Sequence, residues 1–335
     1  MYRMSGSPPY IPINNDAARQ YIDARQAFLA LRDAQRDARQ VRGGMYWHGR
    51  SSSLTRTSTY GAEKSLGKRS SETEKIYADF MARKAELSQR VDDLKIQLRR
   101  HERVNKALYV GRVDPTVIAL LARLESAELA EYFHVVGTHA LYAYETVAGV
   151  RFDANVTATR DIDLLWDVRK RMSFWTQMER LDSSFLALLK KVDSSFRIRP
   201  IRHVRQRYTA VNAEGFEVDI LRRMREGDDP HPIKHPIKIS ERTKGEQAVD
   251  QASALEELSV VQAARADVFL NTPSFEAVIV DRNGRMAMMR TIQPRVFVEF
   301  KRWMSGLPDR EPIKRQRDAA QAKAVQALLD EERLM

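Results

Sequence analysis

The sequence predicts an α+β fold: a helical N-terminal arm, a mixed-sheet core and a helical C-terminal tail. Three observations lead there. Residues 16–42 and about 71–106 carry the periodicity of amphipathic helices. Between 113 and 292, short apolar runs alternate with turn residues. From Gln293 onward, charged and apolar residues recur at helical spacing. The domain boundaries follow: arm 1–112, core 113–292, tail 293–335.

In the arm, Tyr21, Ala24, Phe28, Leu29 and Leu31 form an apolar stripe, with Arg and Asp alternating on the opposite face. The pair Gly43–Gly44 stops this helix. The stretch from Met45 to Thr73 is rich in Ser, Thr, Gly and basic residues, which predicts loop or short strands. A second long helix opens at "SETE" (71–74), read as a capping box. Ile76, Phe80, Leu87, Val91, Leu94 and Leu98 lie near heptad spacing, so the two helices are expected to form a hairpin or short coiled coil that could dimerise the chain.

The core begins with a helix opened by Asp114–Pro115. "YFHVVGTHALYAYETVAG" predicts strand, tight turn, helix; "RDIDLLW" predicts a strand; "RKRMSFWTQMERLDSSFLALLKKV" predicts one helix. Two hairpins follow: "QRYTAV" and "FEVDIL" joined by "NAEG", then "FEAVIV" and "RMAMMRTI" joined by "DRNG".

Composition narrows the function classes. No apolar run approaches 18 residues, so no membrane span is expected, and "MYRMSGSPPYIPINND" lacks the apolar centre of a secretory signal. Cysteine is absent, which removes disulfides and thiolate metal sites and fits a cytoplasmic setting. Lys and Arg number 56 against 45 Asp and Glu, a net charge of +11 that favours polyanionic partners.

The chemistry is expected at "TATRDIDLLWDV". Side chains alternate across a strand, so Asp161 and Asp163 share one face about 7 Å apart. Two like charges there are relieved by a divalent cation, and oxygen-only ligands suit Mg²⁺ or Mn²⁺. Asp219 in "FEVDIL" has the same apolar flanks. If its strand lies beside the first, the three aspartates can hold two metals roughly 4 Å apart. "FHVVGTHAL" supplies a phosphate cradle, with Gly137 allowing close backbone approach and Thr138 adding a hydroxyl at a helix start. The competing reading is structural: Arg160, Arg222 and Arg223 would neutralise the aspartates in ordinary ion pairs.

These residues carry a resemblance. Strand–Gly-Thr–helix, Asp-x-Asp on the next strand and one Asp on a later strand resemble the DNA polymerase β-like nucleotidyltransferase superfamily. "GGMYWHG", "KSLGKRSSETEKIY", "VVGTHALYAYE", "TRDIDLLWD" and "PDREPIKRQRDAAQA" further resemble a bacterial family of nucleotidyltransferase-fold proteins. The resemblance implies that Asp161 and Asp163 bind both metals and the triphosphate, that Asp219 completes the catalytic metal site, and that Gly137 and Thr138 hold the β- and γ-phosphates. The activity implied is transfer of a nucleoside monophosphate from an NTP to a hydroxyl, with RNA or a tRNA end the favoured acceptor and a protein or small molecule the others. Some members of the superfamily act as toxins or defence factors, so such a role is implied by analogy alone. The alternative is an inactive scaffold that binds nucleic acid or a partner protein. One departure from the pattern is the long gap between Thr138 and Asp161, which makes "AGVRFDANVTATR" an insertion.

Secondary candidates lie outside the aspartates. Arg197, Arg199, Arg202, Arg205 and Arg207 form a basic run that either lines an RNA path or guards an exposed edge. Lys301, one turn past Phe297, is expected to reach the triphosphate as a point charge, or else to be a surface charge on an amphipathic helix. Asp318 reads as an intramolecular salt-bridge residue. His139 either touches a phosphate or packs in the first helical turn, and "HPIKHPIKI" (231–239) has no metal spacing. Tyr46, Trp47 and His48 beside Arg50 either stack on bases or pack against the arm.

Overall fold

The computed structural model describes residues 8–49, 52–59, 61–199, 209–224, 226 and 260–334. Two compact units emerge, residues 15–110 and residues 1–14 with 111–335. Strand β1 (Tyr10–Pro12) therefore belongs to the second unit, where it pairs antiparallel with β6 of the predicted insertion.

The first unit is a helical pair with a small sheet. Helix α1 (Asn15–Gln40) buries Ala17, Ala24, Ala27, Leu31 and Ala34, a heptad row made mostly of methyl groups. Tyr21, Phe28 and Leu29, expected in the stripe, are only half-buried. Small residues let a second helix approach closely, and α2 (Ser71–Ala107) runs back along this row. Its buried positions Thr73, Leu87, Leu98 and Asn105 keep near-heptad spacing, whereas Ile76 faces solvent. Buried Asn105 is satisfied across the pair, its Oδ1 accepting from Gln20 Nε2 at 2.9 Å. The cap of α2 lies one residue before the expected "SETE" box. Ser70 accepts from Thr73 N, and Thr73 Oγ1 accepts from Ser70 N at 2.9 Å. A hydroxyl at the third helical position does the work expected of Glu74.

Between the helices, β2 (Gly44–His48), β3 (Ser53–Thr57) and β4 (Glu63–Lys68) form an antiparallel sheet. Gly43 opens it at φ +83°, where a Cβ would lie 2.0 Å from the Thr57 carbonyl oxygen. Trp47 packs on Tyr77 of α2 at 6.0 Å and lies under the Arg69 guanidinium. Tyr46 donates its hydroxyl to Glu63. Arg50 lies outside the described residues.

The second unit is a mixed sheet covered by helices. After α3 (Pro115–Ser126), capped by Asp114, the chain forms β5 (Phe133–Val136), α4 (Ala140–Ala148), β6 (Val150–Phe152), the single turn α5 (Ala154–Thr157) and β7 (Asp161–Trp166). The expected long helix after β7 is broken into α6 (Arg171–Leu181) and α7 (Phe185–Lys190), because Asp182 takes a left-handed conformation at φ +43°. Then come β8 (Arg197–Ile198), β9 (Thr209–Val211), β10 (Glu217–Arg223), β11 (Val261–Ala263), α8 (Ala266–Leu270), β12 (Phe275–Val280) and β13 (Met286–Thr291). Helices α9 (Pro294–Ser305) and α10 (Pro312–Asp330) follow.

The sheet order is β12-β13-β5-β7-β10-β9-β8, with β11 beside β10. Strands β5 and β7 are antiparallel, β7 and β10 parallel, and β9 and β10 antiparallel. A parallel pair requires a crossover, which α6 and α7 supply here. Their underside fills the core: Trp166, Phe174, Phe133 and Phe185 are fully buried and meet at tilted or edge-on angles. Tyr144 donates its hydroxyl to Ile292 O at 2.8 Å, tying α4 to the end of β13. Among the described residues no helix is long and apolar enough to cross a membrane.

The alanine row carries a testable consequence. Ala24→Leu forces three extra carbons into a fully buried seam and should cost about 1–3 kcal/mol of stability, read by urea denaturation of the full chain. A neutral result would mean that the helices are not in close contact there.

Candidate active site

Strand register decides which side chains meet. In the β7–β10 pair, Asp161 lies opposite Glu217 and Asp163 opposite Asp219. Alternation then puts four carboxylates, Asp161, Asp163, Glu217 and Asp219, on one face of two adjoining strands, about 4.8 Å apart across the pair. Three of them were singled out in the sequence. Glu217 was not, although the spacing Glu-x-Asp in "FEVDIL" mirrors Asp161-x-Asp163 and was its signal.

The electrostatic result is a shared burden of negative charge. Asp163 is pushed up to about 7, first by burial and then by the charges of Asp161 and Asp219; Lys301 and Arg310 partly oppose this. Burial also raises Asp219, against a hydrogen bond from Thr209 Oγ1 at 2.5 Å, while Glu217 and Asp161 add to the rise. Asp161 faces solvent and accepts a hydrogen bond from Thr159. Glu217 pairs with Arg199. The arginines expected to neutralise the aspartates are placed otherwise. Arg160 reaches the Glu214 carbonyl, Arg223 pairs with Glu226, and alternation turns Arg222 to the face opposite Asp219.

Gly137 ends β5 at φ +68°, beside the pairing of Val136 with Asp163. A Cβ at Gly137 would lie 2.2 Å from Asp163 Oδ2. Its bareness is therefore required by the Asp163 carboxylate itself. Thr138 follows in a short 3₁₀ turn, Gly137–His139, that leads into α4. His139 is buried against Tyr142 and Phe216, and burial lowers it to about 4, which fits packing over phosphate contact.

Lys301 is neither on the surface nor free. It is buried on α9 and donates to Asp318 Oδ1 at 2.7 Å, while Arg310 donates to Asp318 Oδ2 at 2.5 Å. Burial lowers the Lys301 ammonium and Asp318 opposes that shift. Asp318 thus makes the intramolecular ion pair expected of it. Arg310 had no signal beyond its place in "PDREPIKR".

Lys301, Arg310, Gly137, Asp161 and Asp163 line one cleft of about 570 Å³. Its other wall is apolar, built from Leu221, Val261, Phe269, Phe300 and Trp303. Phe269 and Phe300 meet edge-to-face at 4.6 Å, and the Arg265 guanidinium lies over Trp303 at 4.6 Å. A cleft with an ionic end and an aromatic end accommodates a ligand with the same division. Of the basic run, Arg197 and Arg199 lie on or beside β8; Arg202, Arg205 and Arg207 lie outside the described residues, as does 231–239.

The donor set fits a hard divalent cation: carboxylate oxygens only, and a carboxyl raised to about 7 by burial and by the charges of Asp161 and Asp219. The fit is one of chemistry. Asp161 and Asp219 are each turned to a threonine hydroxyl, and among the described residues no three acidic or imidazole groups are gathered into a ready-made metal cage.

The raised Asp163 has a consequence for stability. The folded chain holds a proton that the unfolded chain releases near pH 4, so stability falls as pH rises from about 4 to about 7. Asp163→Asn removes that burden. In chelator, it should gain on the order of 1–3 kcal/mol over wild type at pH 8 and nothing below about pH 4, by denaturant titration. Equal stabilities at pH 8 would mean that the carboxylate is already neutralised.

The sequence model of a nucleotidyltransferase family matches residues 116–335, well over half of the chain. No curated protein and no solved structure matches significantly. The matched segment runs from the first turn of α3 to the C-terminus and includes every residue of the carboxylate cleft. The chain belongs to this nucleotidyltransferase family.

Proposed function

We propose that the protein moves a nucleoside monophosphate from an NTP to a hydroxyl acceptor with release of pyrophosphate, on a polymerase β-like core formed by residues 113–292. The observation that supports this most is the register that sets Asp163 beside Asp219 and against Gly137. In this reading Asp161, Asp163 and Asp219 hold Mg²⁺ or Mn²⁺. Such ions, when bound, neutralise phosphate charge and acidify an attacking hydroxyl.

The chain's own residues do the rest. The Gly137–Thr138 turn receives the β- and γ-phosphates. Lys301 and Arg310, fixed by Asp318, present positive charge to the leaving pyrophosphate from the opposite wall. Phe269, Phe300 and Trp303 take the nucleoside, with the base on an aromatic surface that reads ring area more than hydrogen-bond pattern. The acceptor we favour is RNA. Residues 15–110 hold 20 Lys and Arg against 12 Asp and Glu, so 8 of the 11 excess positive charges fall in that unit.

The threonine hydroxyls that Asp161 and Asp219 are turned to favour a second reading, a spent scaffold that binds without catalysis. One experiment separates the two. The full chain is incubated with each α-³²P NTP, Mg²⁺ or Mn²⁺, and total cellular RNA and protein. The enzyme reading expects labelled RNA with wild type and at least a hundredfold less with Asp161→Ala/Asp163→Ala. Label on protein alone would replace the acceptor, and no label with any NTP or metal would favour the scaffold. Phe300→Ala should weaken binding of all four NTPs by a similar factor, about tenfold or more. Selective loss of one nucleotide would mean that the aromatic wall reads base identity.

A further inference from the structure

Thr138 is gripped from α10. Gln321, fully buried, donates from Nε2 to Val156 O at 2.8 Å and lies 3.1 Å from Thr138 Oγ1 through the same nitrogen. A carbonyl oxygen can only accept, so the Val156 contact fixes which end of the amide is nitrogen. Both of that nitrogen's hydrogens are then in use. Arg317 Nη2 lies 3.4 Å from Thr138 Oγ1 and also donates to Ala158 O. A guanidinium has no acceptor.

A threonine hydroxyl has two acceptor lone pairs and one proton. With donors on both lone pairs, Thr138 can make its remaining hydrogen bond only by donating. Among the described residues nothing takes that proton. The turn carrying it reaches the cleft through the preceding residue, Gly137, which lines it with Asp161 and Asp163, and Thr138 itself is half-buried behind it. Neither Asp161, which accepts from Thr159, nor Asp163 takes the Thr138 proton.

We infer that Gln321 and Arg317 are positioning residues that convert the Thr138 hydroxyl into an obligate donor to an anionic oxygen bound at the Gly137–Thr138 turn. This rests on the reading of Gly137–Thr138 as a phosphate site, and it assigns the acceptor as a phosphoryl oxygen of the triphosphate. It also gives the insertion a purpose. Val156 and Ala158 lie within it, and their carbonyls hold the far ends of the two donors. The insertion is in turn pinned by β1 through the β6 pairing.

Gln321 is neutral, so replacing it changes hydrogen bonding without changing charge, which makes it the sharper probe. The experiment is calorimetric titration of the full chain with inorganic triphosphate and Mg²⁺, alongside thermal melting. Thr138→Val should weaken binding about tenfold or more, and Thr138→Ser should stay near wild type. Gln321→Met should lose a similar factor. The Thr138→Val/Gln321→Met double variant should be no worse than Thr138→Val alone, because the amide acts through the hydroxyl. Should Gln321→Met fail to melt cooperatively, Gln321→Asn keeps the amide but is too short to span both partners, and the same loss is expected. Wild-type affinity in a folded Gln321 variant, or losses that multiply in the double variant, overturns the inference alone. If wild type itself binds no triphosphate, the phosphate reading falls and the inference with it.

Discussion

Repulsion among carboxylates on two parallel strands is the constraint around which the second unit is arranged. A chain gains nothing in stability by setting Asp163 opposite Asp219 and two residues from Asp161. Burial and like charge together hold the Asp163 carboxyl near neutrality in its titration. Elsewhere in the strands, the positions facing away from the acidic face are filled by fully buried Ile162, Leu164, Val218 and Ile220. The apolar face keeps the two strands in register, and the register keeps the carboxylates together. A slip of one residue would turn the acidic set into the core, at a cost no packing could offset.

The neighbouring features accommodate that constraint. Gly137 is bare because Asp163 occupies the space where a Cβ would be. Lys301 and Arg310 stand across the cleft as partial counter-charge, and buried Asp318 holds both. Desolvation lowers the buried Lys301 ammonium, and its ion pair with Asp318 opposes that loss. Helix α10 supplies Asp318, Arg317 and Gln321 along its length, so one helix organises the basic wall and the Gly137–Thr138 turn.

Much of this was legible in the sequence, for identifiable reasons. Period-two alternation in "DIDLLW" and "FEVDIL" fixed which side chains share a face, and the Asn-Gly turn fixed the last hairpin. What alternation cannot supply is pairing order, so the companionship of Glu217 and Asp161 emerged only from the β7–β10 register. The single helix read over 169–192 failed at Asp182, whose left-handed conformation carries no periodic signal. Of the row that α1 buries, the apolar stripe read from the sequence contained Ala24 and Leu31 but not Ala17, Ala27 and Ala34, because periodicity weighted by large apolar residues does not register the small ones that close helix packing selects. Lys301 was identified by its helical offset from Phe297, but its burial depends on Asp318, seventeen residues away. Arg310 and Gln321 act through tertiary contacts alone, and nothing local marks them.

On the proposed reading the acidic face holds a divalent cation, and binding of Mn²⁺ tests this without reference to any reaction. Electron paramagnetic resonance titration of the full chain should show saturable Mn²⁺ uptake that strengthens as pH rises through about 7, as protons cease to compete at Asp163. Removing the carboxylate with Asp163→Asn should weaken uptake by at least tenfold and flatten that pH dependence. Uptake that is indifferent both to pH and to this substitution would show that the three aspartates are not where the metal goes.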